Sequence, residues 1–152
     1  MNFAPGTYVI KDGPFTLAGV TVVSGSNVGF YLTGAGAALD FSGTSTINLS
    51  GAETGPLAGL LFFADRNQAD GTTHKISSIN VLSLTGTIYL PKGDLIVDPA
   101  ALVAGNSAYT AIIANRLRIE KGPTLVMNTN YGATKVPVPD GVRSAATVVL
   151  TN

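Results

Sequence analysis

The fold is decided by residues 20–49, which read VTVVSGSNVGFYLTGAGAALDFSGTSTINL. Within this stretch, pairs of apolar residues two positions apart recur at 20/22, 30/32, 39/41 and 47/49. Because side chains alternate between the two faces of a strand, each pair predicts one short strand with one face turned inward. Glycines lie in the gaps between the pairs, which favours a chain that winds into stacked coils.

Apolar runs of strand length continue from this stretch to both ends of the chain, and no helical periodicity is sustained anywhere. One short helical turn is predicted at 98–102, where an Asp precedes a Pro. Inward-facing pairs are also predicted at 88/90, 95/97, 117/119 and 125/127. The predicted strands are 7–10, 20–23, 28–33, 37–41, 45–49, 57–63, 84–90, 94–97, 108–114, 116–119, 124–127 and 145–150.

The all-β pattern fits a sandwich, a closed barrel or a parallel β-helix. Tight hairpins favour Asn-Gly or Asp-Gly, but Asp-Gly occurs only at 12/13, 70/71 and 140/141, and Asn-Gly does not occur. These hairpin signals are too few for so many strands. We therefore predict a right-handed parallel β-helix of six or seven coils, with a β-sandwich as the alternative, in a single domain spanning 1–152.

Composition excludes several classes of function. Nine basic and nine acidic residues give a net charge of zero, which argues against binding to nucleic acid or to an anionic membrane. There is no Cys and only one His, so a thiolate nucleophile is excluded and a transition-metal site has too few ligands. We expect no cofactor and no metal. A chain that is 45% hydrophobic and 12% charged has enough apolar surface to fold.

The densest polar cluster beside a predicted strand end is Asp65-Arg66-Asn67, and it is followed by a predicted loop containing Asp70 and His74. These five residues are the candidate partner-binding residues, with a carbohydrate as a further candidate ligand. The competing interpretation is a structural turn, in which Asp65 or Asn67 accepts backbone N–H groups and Arg66 reaches a neighbouring carbonyl or carboxylate. For His74 the competing interpretation is an exposed loop histidine.

A catalytic solenoid is a weaker hypothesis. Paired carboxylates such as Asp94 and Asp98 are typical of glycoside hydrolysis, and the wider candidate set is Asp65, Asp94, Asp98, Arg116 and Arg118. The chain is short for such enzymes and has no Trp to stack against sugars, so we predict no enzymatic activity. An ice-binding or surface-binding solenoid is a lesser alternative, because the Thr-x-Thr sequences at 44–46 and 85–87 do not recur at a constant period.

Five blocks of sequence carry a resemblance to a known family: GTYVI at 6–10, VGFYLTG at 28–34, GLLFFADRN at 59–67, LTGTIYLP at 84–91 and AYTAIIA at 108–114. In wording and order they resemble the C-terminal region of TadG-like proteins of the Flp (Tad) pilus-assembly system. The resemblance implies a non-enzymatic protein, a membrane anchor in a preceding part of a longer chain, and a periplasmic or cell-surface location for this region.

Together these observations predict a structural or interaction module that presents rigid sheet faces and loops to a protein partner or a surface. We expect no membrane contact from this segment. Residues 133–141 contain two prolines in four residues and predict an extended surface segment before the last strand, 145–150. That strand is expected to cap the open end of the solenoid or to pair with another chain, so end-to-end self-association is a further expectation.

Overall fold

The computed structural model describes residues 1–99 and 101–142. Strands make up 52% of the described residues and helix 2%. The single helical element among the described residues is a 3₁₀ turn at Tyr131–Ala133. The strands are β1 (Asn2–Phe3), β2 (Gly6–Lys11), β3 (Phe15–Leu17), β4 (Val22–Gly25), β5 (Val28–Thr33), β6 (Leu39–Phe41), β7 (Thr46–Ser50), β8 (Leu60–Ala64), β9 (Thr72–Ile76), β10 (Asn80–Val97), β11 (Leu102–Val103), β12 (Thr110–Ile119) and β13 (Thr124–Leu125).

These strands form a parallel β-solenoid of about five coils, where a coil is one full turn of the chain around the axis. Every ladder between described strands is parallel, and the one antiparallel contact among them is the isolated bridge Tyr109–Thr129. Gly6 pairs with Val28, so one coil advances the chain by 22 residues. The solenoid prediction is confirmed, and the hairpin sandwich is not found.

Each coil contributes strands at three positions around the axis. The first three coils are β1–β3, β4–β6 and β7–β9. In the fourth coil the three positions fuse into β10, which pairs in succession with β7, β8 and β9. The fifth coil consists of β11 and β12, and β13 then pairs with β11. A parallel stack therefore positions equivalent residues of successive coils directly above one another.

The prediction of six or seven coils is wrong, because the third coil is longer than the others. Phe30 pairs with Phe62, 32 residues later, and Asp40 pairs with Lys75, 35 residues later. The additional residues lie in the corner loops 51–59 and 65–71, outside the strands. Loops at the corners of a solenoid lengthen the chain without adding a rung, so the same sequence makes fewer coils.

The core is a set of columns of inward side chains that run along the axis. One column contains Phe30 and Phe62, both fully buried, whose ring centroids are 5.4 Å apart at an interplanar angle of 27°. Removing a Phe side chain from water stabilises the fold by about 1.5–3 kcal/mol. At the N-terminal end, Phe3 packs edge-on against the rings of Tyr8, Phe15 and Phe30 and covers the opening of the first coil.

The predicted inward pair Val20/Val22 is wrong. Val20 is 90% exposed and Val22 is 67% exposed, whereas Val23 is fully buried. Val23 is aligned with the buried Ile47 of the next coil, so the register places the alternate residues of β4 inside. The sequence VTVV has apolar residues at both even and odd positions, so alternation alone does not indicate which of them face inward.

The pair Leu117/Ile119 is in register with the buried Leu95 and Val97, but the two side chains are 41% and 52% exposed. Met127, predicted to be inward, is 54% exposed. Within the part of the chain that the structure describes, no strand pairs with the outer edge of this end of β12. The predicted inward orientation of the pair 117/119 is therefore wrong, since both faces of 116–119 are exposed.

Three further predictions of local structure differ from the observed fold. The predicted helical turn at 98–102 is not formed by the described residues, because Asp98 and Pro99 are irregular and Leu102 begins β11. The predicted loop around His74 is largely the strand β9. Residues 133–141 were predicted to be an extended surface segment, but they are irregular, with bends at 135–136 and a buried Val136. The predicted strand 145–150 lies outside the described residues.

Candidate partner-binding face

One outward side chain from each coil lines up on the sheet formed by β2, β5, β8, β10 and β12. Because the register is continuous from strand to strand, these residues lie in a row along the axis. Val9 is 60% exposed and the others are half-buried. We call this row the outer column, and its members are Val9, Tyr31, Phe63, Tyr89 and Ile113.

The three aromatic rings of the outer column stack on one another. The centroids of Tyr31 and Phe63 are 5.3 Å apart at 31°, and those of Phe63 and Tyr89 are 5.3 Å apart at 9°. Since its two neighbours belong to the coils above and below, both faces of the Phe63 ring are covered. The ring edges, rather than the faces, are turned to solvent. The outer column is therefore an apolar ridge and not an open stacking platform.

The predicted polar corner Asp65-Arg66-Asn67 lies at the end of β8, directly after the outer column. Asp65 accepts a hydrogen bond from the Asn67 backbone N–H at 2.9 Å and another from the Thr33 hydroxyl at 2.8 Å. The Asn67 N–H, followed by the Thr33 hydroxyl, lowers the pKa of Asp65 below its usual value. The turn interpretation is thus confirmed for Asp65, which fixes the corner on the preceding coil.

Arg66 connects this corner to the outer column. Its Nε–H donates a hydrogen bond to the Tyr89 hydroxyl at 3.0 Å, and its guanidinium carbon lies 5.6 Å from the Tyr89 ring centroid. The carbonyl or carboxylate partner predicted for Arg66 is therefore wrong, because the acceptor is a phenol hydroxyl. The Arg66 side chain is exposed, and no carboxylate among residues 1–99 and 101–142 is within salt-bridge distance of it. Arg66 thus places a positive charge beside an apolar surface, which is a common arrangement at protein interfaces.

Two surface pockets lie on either side of Phe63. The first has a volume of about 290 Å³ and is almost wholly apolar. The second has a volume of about 320 Å³, and its lining includes both Arg66 and Asp140. We call them the first and second pocket. The first is lined by Thr7, Tyr31, Pro56, Leu57 and Phe63, and the second by Leu60, Phe63, Arg66, Thr87, Tyr89, Ile113, Pro139, Asp140, Gly141 and Val142.

The tail that forms one wall of the second pocket is fixed by Tyr109. The buried Tyr109 hydroxyl donates a hydrogen bond to the Pro137 carbonyl at 2.5 Å, and the Gly59 carbonyl is 3.3 Å away. Burial raises the pKa of Tyr109, so the hydroxyl keeps its proton. Gly59 has φ +82°, and a Cβ there would lie 2.3 Å from the Pro137 oxygen. The close approach of the tail therefore requires glycine.

The two remaining candidate residues lie away from the outer column. Asp70 is exposed and its carboxylate is 3.5 Å from Lys92 Nζ, a surface pair of little energetic value. His74 is fully buried, so the predicted exposed loop histidine is wrong. In the sequence TTHKI, His74 and Ile76 alternate as inward residues, and this pattern was the signal that could have located the ring.

His74 belongs to an inward column with Leu39 and Leu95. Its Nδ1 accepts a hydrogen bond from the Leu39 backbone N–H at 3.2 Å, and its Nε2 has no partner among the described residues. Burial lowers the pKa of His74 to about 4, although the nearby Asp94 charge opposes this shift. A Cβ on Gly93 would lie 2.5 Å from the imidazole, so Gly93 leaves space for the ring. His74 is therefore a neutral core residue.

The residues of the catalytic hypothesis are not brought together into one acidic cleft. Asp94 lies 3.7 Å from Arg116, and Arg118 lies 2.6 Å from Glu120. Asp98 is buried between two lysine ammonium groups at 3.1 and 3.2 Å. Asp65 lines a separate polar pocket of about 330 Å³ with Thr33, Asn67 and Gln68, and none of the other four candidates lines it. The contacts of Asp94 and Asp98 thus join neighbouring coils, whereas the pair Arg118–Glu120 is local.

Two other classes of site find no support. Among the described residues, no group of three or more His, Asp or Glu side chains is placed to hold a metal ion. Thr85 and Thr87 are buried, so they cannot contribute to a flat exposed ladder of threonines. No helix in the described part of the chain has the length and apolar character needed to cross a bilayer.

The outer column was missed by the sequence analysis. Its aromatic members follow inward residues directly, in the pairs Phe30-Tyr31, Phe62-Phe63 and Ile88-Tyr89. Such pairs of adjacent large apolar residues in a strand indicate that both faces are covered or contacted.

Comparison of the chain with protein-family models, with characterised proteins and with solved structures finds no match.

Proposed function

We propose that this chain is a non-enzymatic interaction module that presents its outer column to a protein partner in a bacterial Tad/Flp pilus-assembly or cell-envelope complex. The biological setting, with its periplasmic or cell-surface location, rests on the resemblance of the five sequence blocks to TadG-like proteins. The molecular role rests on the surface itself.

The observation that carries the proposal is the half-buried, outward-facing aromatic ridge Tyr31–Phe63–Tyr89 with a pocket on each side. Aromatic residues and Arg are enriched in the anchoring positions of protein interfaces, and their side chains dominate binding energy. The ridge is built on hydrogen-bonded parallel strands, so its side chains are held in place before a partner arrives. A preorganised surface loses little conformational entropy on binding.

A carbohydrate-binding solenoid is the second candidate. The pocket beside Asp65 favours it, because a carboxylate and the exposed amide of Asn67 can hydrogen-bond sugar hydroxyls. The stacked rings disfavour it, because sugars bind to open aromatic faces and both faces of Phe63 are covered. We therefore place the protein partner first.

The proposal is tested in a bacterium that carries the parent gene and assembles Flp pili. Phe63→Thr in the chromosomal copy removes the central ring while keeping a residue that favours strands. We expect the amount of pilin sheared from the cell surface to fall roughly tenfold or more, as for the loss of an interface hot spot.

The control is Val22→Thr, which makes the same kind of apolar-to-Thr change at a more exposed position, 67% exposed, on another sheet face and should leave surface pilin at the wild-type level. Immunoblotting of both variants checks that they accumulate to wild-type amounts. Normal piliation after deletion of the gene would refute the pilus setting. Selective binding of the purified chain to a glycan array, lost in Asp65→Asn, would favour the carbohydrate candidate instead.

A further inference from the structure

We propose that the outer column binds one amphipathic α-helix of the partner, aligned along the solenoid axis, with an acidic side chain of that helix placed against Arg66. This inference rests on the proposed function and specifies its partner. It follows from the spacing of the two pockets and from the charge at one of them.

The two pockets share Phe63 and lie on consecutive rungs, because Tyr31 and Phe63 both line the first while Phe63 and Tyr89 both line the second. Adjacent hydrogen-bonded strands are about 4.8 Å apart. A partner that fills both pockets must therefore present two apolar side chains at about that spacing, one on each side of the Phe63 ring.

An α-helix meets this requirement better than an extended segment does. Residues three or four apart on one helix face have Cβ atoms about 5–6 Å apart, and one helical turn rises about 5.4 Å. Same-face residues of an extended segment are separated by about 6.6 Å, which is longer than the spacing of the rungs. After two such residues the side chains of the segment no longer lie opposite the rungs. The helix stays nearly in phase along the whole outer column, which is about 19 Å long from Val9 to Ile113.

The charges of the second pocket determine the flanking residue. The Nε–H of Arg66 donates a hydrogen bond to the Tyr89 hydroxyl, whereas the other guanidinium N–H groups have no carboxylate partner among the described residues. Asp140 lines the same pocket from the tail and is exposed, so it favours a basic residue on the opposite flank of the helix. An acidic side chain on the corner side gains a charge-assisted hydrogen bond with Arg66.

The test uses three fluorescent peptides of about 18 residues. The first two are held helical by a lactam bridge, and the third is linear. The first has Leu at i, i+4, i+7 and i+11 with Glu on one flank, and a lactam bridge on its polar face. The second is identical except that Lys replaces Glu. The third has the same composition as the first but alternates Leu and polar residues and is linear. Binding to the 152-residue chain is measured by fluorescence anisotropy.

We expect the first peptide to bind roughly tenfold or more tightly than either of the others. Arg66→Gln should remove the preference for Glu over Lys, Phe63→Thr should weaken binding of the first peptide, and Val22→Thr should change neither. The inference is overturned if the alternating peptide binds as tightly as the helical one, if no peptide binds, or if Arg66→Gln retains the preference. Loss of piliation in Phe63→Thr together with any of these outcomes would leave the proposed function standing and remove only the helix.

Discussion

Phe62 and Phe63 are neighbours on the same strand, yet they belong to two different columns. Phe62 is fully buried and stacks on Phe30 inside the solenoid, whereas Phe63 is half-buried and stacks on Tyr31 and Tyr89 outside it. The inner column and the outer column thus share one geometry of aligned rings. Alignment between coils therefore stabilises the fold on one side of the sheet and builds the proposed binding surface on the other.

The two columns should differ most in how much the free energy of unfolding falls when one ring is removed from each. Phe62→Ala leaves a cavity in the core and should lower the free energy of unfolding by about 3–5 kcal/mol. Phe63→Ala loses two partly exposed aromatic pairs, with Tyr31 and with Tyr89, and should lower it by about 1–2 kcal/mol. Urea denaturation followed by circular dichroism measures both. Equal losses for the two variants would show that the outer column is as structural as the inner one.

The free energy of unfolding should depend on pH through His74, which belongs to an inner column and not to the outer column. His74 has a pKa of about 4 in the folded chain and about 6.5 when unfolded, so the unfolded state binds more protons between these values. The contribution of the neutral ring is fully present above pH 6.5 and is lost as the pH falls towards 4, by about 3 kcal/mol in total.

Denaturation midpoints between pH 7 and pH 5 test this dependence. His74→Leu gives the column the same residue as Leu39 and Leu95, and it should flatten the dependence while the carboxylates common to both proteins act as the internal reference. An unchanged slope in His74→Leu would mean that the imidazole is not the group responsible.

A third prediction tests the wall of the second pocket. Gly59→Ala introduces a Cβ 2.3 Å from the Pro137 oxygen at a residue with φ +82°, so the tail must move away. The backbone conformation alone costs about 1–2 kcal/mol. We expect faster amide hydrogen exchange at Val136 and Val142, with unchanged exchange at Val9 in the first coil. Gly55→Ala, also at positive φ but with open space around the added Cβ, separates the backbone cost from loss of the tail.

The smallest effect is expected at the hydrogen bond between Arg66 and Tyr89. Tyr89→Phe keeps the stacked ring and removes only the hydroxyl that accepts from Nε, which is exposed to solvent. The free energy of unfolding should fall by about 0.5 kcal/mol or less. A double-mutant cycle with Arg66→Gln measures the coupling, and a value several times larger would show that the corner contributes to the stability of the outer column.

The sequence predicted the β-solenoid because strands such as β6 and β7 alternate cleanly and glycines lie in the gaps between the apolar pairs. It did not predict the number of coils, since the loops 51–59 and 65–71 interrupt the spacing without a compositional sign that they lie outside the rungs. At Val20 and Val22, apolar residues at both parities left the choice of inward face to the neighbouring strand. Such choices depend on register between coils, which local sequence does not contain.

The candidate site was predicted only in part, for a related reason. Polar residues after a long apolar run located the corner Asp65-Arg66-Asn67, which does lie at the outer column. The alignment of Tyr31, Phe63 and Tyr89 could not be read from spacing, because the coil-to-coil separations are 32 and 26 residues. Only the paired strands show that these rings are neighbours. His74 was misplaced because β9 consists mainly of polar residues.

The pairing of each coil only with its neighbours gives the molecule a distinct response to force. Tension applied between the two poles loads the terminal rung first, since the inner rungs are held on both sides. One coil of 22 residues that peels away releases about 70 Å of chain before the next is loaded. A module built in this way extends one coil at a time under load, and the remaining rungs stay folded.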